Sequence, residues 1–266
     1  ATLGKVLTQE SFTAWGEGRP LEGAELGRRA AAILAPTAER YWHGMAYFYI
    51  AMNLIHLGDT EPAAEAAEAA RRIGKEIADA RVATYGTFVK GYALTAGGAW
   101  EIARGLCEEA VSLAPERISR AYALAVLGYS HLVAGEPQDA IDLLKKVVDD
   151  FAQFPFPPWE SLFAAKLAEA WLCLGDVTQA RYAAERAVAV AEGCGFIFGT
   201  GWARRALGRV AVAEGNFAEG REDLNRAREI FHGLGARLEL EDMRIDIPPA
   251  RDHEAGPVLS SGEASD

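Results

Sequence analysis

Five glycines stand in near-constant register along this chain: Gly58, Gly98, Gly135, Gly175 and Gly215 are separated by 40, 37, 40 and 40 residues. A period of that length constrains the fold more than any other property of the sequence. A unit of about 40 residues is one supersecondary element that cannot bury its own apolar face, so neighbouring copies must stack into a continuous core. The same frame returns around each glycine. In the clearest copy, Gly91, Gly98, Ala103, Ala110 and Pro115 follow one another at seven, five, seven and five residues. The frame holds Ala51, Gly58, Ala63 and Ala70 upstream, then Gly128, Gly135 and Ala140 downstream. Ala168, Gly175, Ala180 and Ala187 make the next copy, and Gly208, Gly215, Gly220 and Ala227 the last. A degenerate copy with Ala24, Ala31 and Pro36 precedes them all.

The local chemistry predicts what each unit is. A glycine ends a helix in the left-handed conformation at little cost. Asp59, Asp176 and Asn216 follow the turn glycine as helix-starting residues. The recurring small residues mark places where two helix backbones approach closely. Apolar side chains flank them at helical spacing, as in Leu167, Trp171 and Leu174. Ala and Leu dominate the apolar half of the composition, and β-branched runs are scarce. The expectation is an all-α chain of helix–turn–helix units.

The small-residue intervals, the aromatic two places after the turn glycine (Trp100, Phe217) and the closing proline (Pro36, Pro115) resemble the tetratricopeptide repeat over roughly residues 5–235. The resemblance implies a right-handed α-α superhelix of about six repeats: 5–40, 41–80, 81–118, 119–156, 157–197 and 198–236. A capping helix over 237–247 would complete one solenoid spanning 1–247, with a disordered tail over 248–266. The unit exceeds the usual length of about 34 residues, which implies longer helices or longer links. In the second half, Lys166–Leu172, Ala206–Ala211, Phe217–Gly220 and Leu234–Leu240 look like the C-terminal repeat regions of bacterial STAND signalling ATPases and ATPase-fused class III adenylate cyclases. That implies a sensor or regulatory region of a larger cytoplasmic protein. The opening Ala1-Thr2-Leu3, without initiator Met or signal pattern, agrees with a piece of a longer chain.

The net charge of −11 argues against nucleic acid or anionic membrane as a partner. Cys107, Cys173 and Cys194 are odd in number and far apart, which fits neither a disulfide framework nor a zinc site. Each is expected to be a small buried side chain in a reducing cytoplasm. The five histidines show no ligand spacing, and no phosphate loop, dinucleotide fingerprint or nucleophile elbow occurs. No cofactor, metal or catalytic residue is expected. Two segments, 151–159 with three prolines and 193–201 with four glycines, are expected to be loops, as partner-contacting edges or as plugs on the next helix pair.

In tetratricopeptide arrays the first helix of each unit lines a concave groove. Carrying that frame over selects Phe48, Met52, Tyr85, Phe88, Tyr92, Tyr122, Tyr129, Trp202, Arg205 and Arg209 as candidate partner-binding residues. The aromatics would suit an apolar peptide or ligand, or else form core between repeats. Arg205 and Arg209 share a helical face fit for a carboxylate or phosphate, or for pairing with Glu214 or Glu219. Chaperone-adaptor repeats carry Lys and Asn where this chain has Phe48/Met52 and Phe88/Tyr92, so chaperone C-termini are not expected. The expected partner is a protein segment, a peptide or a small effector. A free-standing scaffold or adaptor that assembles a protein complex or self-associates is the alternative.

Overall fold

The computed structural model describes residues 1–154 and 156–246, so the expected tail 248–266 lies outside them. Among the described residues there are 13 helices and no strand. The first three pairs are α1 (Thr2–Gly16) with α2 (Pro20–Leu34), α3 (Arg40–Leu57) with α4 (Thr60–Glu76), and α5 (Ala80–Ala96) with α6 (Trp100–Leu113). The next three are α7 (Arg117–Val133) with α8 (Pro137–Gln153), α9 (Pro157–Cys173) with α10 (Val177–Cys194), and α11 (Ile197–Ala213) with α12 (Phe217–Leu234). A last short helix, α13 (Arg237–Asp246), follows. The extra residues of each unit lie in the helices: most have 17 or 18 residues, joined by links of two to five.

The register glycines do what the period predicts. All five have φ between 77° and 84°. Each closes the first helix of its pair with paired backbone bonds, such as Gly135 N–H to Leu132 O and Glu136 N–H to His131 O. Asp176 then caps the next helix by accepting from the Gln179 amide at 3.0 Å. Asp59 and Asn216 occupy the same place without a side-chain cap bond.

Two segments differ from expectation. Residues 193–201 are helical except at Gly195 and Phe196, where α10 ends and α11 begins. The glycines inside α11 serve close packing instead of looping: a methyl on Gly201 would lie 2.7 Å from the Phe231 ring. Prolines 157 and 158 open α9, where a missing amide costs nothing.

The helices form two layers. Each odd helix from α1 to α9 packs on the next odd helix as well as on its sequence neighbours, which makes the odd helices from α1 to α11 the inner layer. The outer helices are one-sided: α4 buries Ala63, Ala66, Ala67, Ala70, Ile73 and Gly74 and turns its charges outward. The inner helices are buried nearly all round, as in α3 from Ile50 to Leu57. Across the repeats runs a ladder of ion pairs between residues about one unit apart: Arg40–Glu76, Arg71–Glu109, Arg104–Glu136, Arg117–Asp150 and Arg181–Glu219. Each is exposed enough to contribute little on its own.

The superhelix turns far enough to meet itself. The Trp15 ring of the first repeat lies 4.8 Å from Phe196 between the fifth and sixth, and His56 stacks on Phe198 at 3.6 Å. Phe12 reaches Phe156 at 6.4 Å. The inner face is therefore a filled interior instead of an open groove. Of the cysteines, Cys107 is buried and its thiol is pushed up to about 12 by that burial. Cys173 and Cys194 are exposed, contrary to the expected burial, because they fall in the last turns of α9 and α10, away from the packed faces.

Candidate functional site

One pocket interrupts the filled interior. It has a volume of about 170 Å³ and is lined by Phe12, Trp15, Phe48, Tyr49, Met52, Tyr85, Tyr122, Phe156 and Trp159. Residues from the first four repeats and the start of α9 converge on it because successive inner helices present corresponding positions to the axis. Six of the rings form a closed circuit. Phe12 touches Tyr49 at 5.2 Å, Tyr49 touches Phe48 at 5.0 Å, and Phe48 touches Tyr85 at 5.1 Å. Tyr85 meets Tyr122 at 6.0 Å, Tyr122 meets Phe156 at 6.1 Å, and Phe156 returns to Phe12. Burial among these rings holds the Tyr49, Tyr85 and Tyr122 hydroxyls above the usual phenol range, so all three stay neutral donors. The chemistry on offer is a wall of π faces with three phenols, suited to a flat or apolar group.

The opposite side of the interior, towards the C-terminal halves of the inner helices, is charged. Arg205 is 1% exposed and binds Glu169 at 3.1 Å and Glu239 of α13 at 2.5 Å. Glu169 also pairs with Lys166 and Arg209, each at 3.1 Å. Although burial opposes its charge, these three cations hold the Glu169 carboxylate well below its ordinary range. Lys166 lies 3.8 Å above the Trp202 ring and 5.0 Å from Tyr129, and burial lowers its pKa. Helix α13 covers this end: Leu238 abuts Gly58, Arg237 pairs with Asp59, and Met243 is buried.

The ten groove candidates fall into two groups. Phe48, Met52, Tyr85 and Tyr122 line the pocket, and Phe88 packs directly behind Phe48, 5.9 Å between ring centres, fully buried. Tyr92, Tyr129, Trp202, Arg205 and Arg209 gather at the charged end. Arg205 and Arg209 pair with Glu169 instead of Glu214 or Glu219, both of which Arg181 takes. Reasoning along one helix at a time missed Phe12, Trp15, Tyr49, Phe156 and Trp159, which enter from other repeats and links. The aromatic–proline run 154–159 was the available signal. It also missed His131, Glu136 and Asp139, whose ligand atoms lie within 4.8 Å across the α7–α8 turn. Glu136 already accepts from Arg104 at 2.7 Å, so its charge is balanced by a guanidinium.

Helix pairs in register, stacked into a two-layer superhelix, define a TPR-like helical repeat protein, and solved structures agree. A Rap protein complexed with Competence and Sporulation Factor is similar with a TM-score of 0.67 and 15% identity, over 90% of this chain and 74% of that one. The Rap conjugation gene regulator of plasmid pLS20, in complex with the Phr* peptide, is similar at 0.68 and 13%, over 89% and 71%. BtubC from P. vanneervenii is similar at 0.56 and 16%, over 94% and 97%. At these identities the likeness is one of fold. No protein-family model matches the chain, and no curated protein matches it. No helix among the described residues is long and apolar enough to cross a membrane.

Proposed function

We propose that this chain is a non-catalytic binding module whose aromatic pocket receives one ring-sized or branched apolar group, presented by a peptide segment or a small effector. The observation that carries this reading is the closed circuit of six rings around about 170 Å³ of space, contributed by separate repeats. Occupancy of such a pocket would tie α1, α3, α5, α7 and α9 together, which is a means of reporting binding to an attached domain. One of the structural neighbours was solved with Competence and Sporulation Factor and another with the Phr* peptide, which supports the peptide reading. We place the module, through the resemblance of its second half, in a larger cytoplasmic signalling ATPase or cyclase as its C-terminal regulatory region.

The test is calorimetric titration of the protein with indole and with aromatic-bearing peptides. Saturable binding that weakens at least about tenfold in Tyr85→Ala and Tyr122→Ala is expected. Binding indifferent to both substitutions would show that the pocket is not the site. Leu3, Val6 and Leu21 are exposed on the first repeat and favour the scaffold reading, in which copies associate through that end. Light scattering that shows concentration-dependent oligomers sensitive to Leu21→Glu would support it.

A further inference from the structure

Where α13 lands, the cations of the superhelix outnumber its acids. Lys166, Arg205 and Arg209 surround the single carboxylate of Glu169. Helix α13 then brings Glu239 and Asp242 to the Arg205 guanidinium, at 2.5 and 3.6 Å. Among the described residues outside α13, these are three cations around one carboxylate, in side chains that are largely buried, an arrangement that calls for carboxylates. Polar atoms beneath α13 are also unsatisfied: the Tyr92 hydroxyl, Trp202 Nε1 and Arg205 Nε have no partner among the described residues. Their side chains are buried, and Tyr129 lies between the first two rings, 6.0 Å from Tyr92 and 6.1 Å from Trp202. Unpaired buried donors of this kind are uncommon and mark places where a further ligand fits.

The helix that covers them is weakly fixed. It has ten residues, too few to be stable alone, and it hangs from the left-handed Gly235. Among the described side chains, its hold rests on Glu239 and Asp242 at Arg205, on Met243, on the half-buried Leu238 and Leu240, and on the pair between Asp59 and the exposed Arg237.

We propose that the Lys166–Arg205–Arg209 cluster is a second binding site, for an acidic segment of a protein partner, and that α13 occupies it in cis as a displaceable stand-in. The occupant in place shows the chemistry: two carboxylates on a segment that also offers Leu and Met. A net charge of −11 disfavours a polyanion such as nucleic acid, which lacks that apolar component. Because α13 is tethered, its effective concentration is on the order of millimolar, so a partner in trans meets a site that is open only for a fraction of the time. This site lies apart from the aromatic pocket and does not depend on it.

The probe is a fluorescent synthetic peptide of residues 237–246, titrated by anisotropy into the full chain. The chain carrying Glu239→Gln and Asp242→Asn is expected to bind it about tenfold or more tightly than the unaltered chain does. A second opened form, Arg237→Ala, breaks only an exposed pair and should show a smaller gain in the same direction, about two- to fivefold, which guards against misfolding of the first. The same peptide with its Glu239 and Asp242 equivalents neutralised should bind at least about tenfold more weakly. Tyr85→Ala, in the other pocket, should leave these affinities unchanged. Equal binding of acidic and neutralised peptides, or no gain in either opened form, overturns the proposal.

Discussion

Trp15 donates its indole N–H to Nε2 of His56, 3.2 Å away, at the seam where the first repeats meet the last. Phe198 covers the other face of the imidazole at 3.6 Å, and Phe196 closes on Trp15. The acceptor role requires His56 to be neutral, and burial among rings lowers its pKa to about 3. The unfolded chain titrates this group near 6.5, so acid favours unfolding: His56 contributes fully above that pH and less as the pH falls towards 3. Between pH 7 and 5 the loss is about 2 kcal/mol. His43, lowered by burial and by Arg40, steepens the same limb. His56→Gln keeps an acceptor for Trp15 without titrating. Urea midpoints measured from pH 7 to 5 should therefore fall less steeply in this variant than in the parent, and parallel slopes would contradict the assignment.

Two glycines separate packing from backbone conformation. Gly86 of α5 lies so close to the α4 backbone at Arg71 that a methyl group would overlap it. Gly98 has open space around it and a φ of 84°. Gly86→Ala should cost about 3 kcal/mol, through forced separation of two helices. Gly98→Ala should cost about 1 kcal/mol, from the left-handed backbone alone. Equal losses in denaturant unfolding would show that the α4–α5 contact is not rigid.

Ala78 is the non-glycine residue with positive φ among the described residues, at 54°, in a link where the later repeats place Gly195 and Gly235. Ala78→Gly relieves that conformation and should stabilise the protein by about 0.5–1 kcal/mol. A melting temperature raised by a few degrees is the expected readout. A lowered one would mean that the Ala78 side chain supplies packing that outweighs the strain.

The buried charges should respond unequally. Lys166→Met leaves Glu169 with two guanidiniums and places an apolar chain against Trp202, so the cost should stay below about 1 kcal/mol. Arg205→Met leaves Glu169 with Lys166 and Arg209 but takes from Glu239 its guanidinium in a largely buried place, and should cost about 3 kcal/mol. Comparable values for the two, by equilibrium unfolding, would mean that Arg205 is not the keystone of the cluster.

The repeat, its period and its turns were legible because they are local. A left-handed glycine at 58, 98, 135, 175 or 215 acts on its own helix end, and a small residue at 63, 103 or 140 acts on the adjacent helix. The candidate site was legible only in part. Phe48, Met52, Tyr85 and Tyr122 follow from helical position, whereas Phe12, Trp15 and Phe156 join them only because the superhelix closes. The Gly-rich stretch 193–201 misled as a loop for a related reason. Gly199 and Gly201 answer to Ser161 and Phe231, side chains that adjacency in sequence does not reveal.

Nearest-neighbour stacking thus determined the all-helical, six-pair architecture from sequence alone, since each repeat needs only the next to bury its apolar stripe. How far the stack curves was decided by the tertiary structure. Small rotations at every interface accumulate, and their sum brings Trp15 to Phe196 and Arg237 to Asp59 across most of the chain's length. That sum turns an inner face that reads as an exposed groove into a packed interior with one aromatic pocket and one charged, self-occupied site.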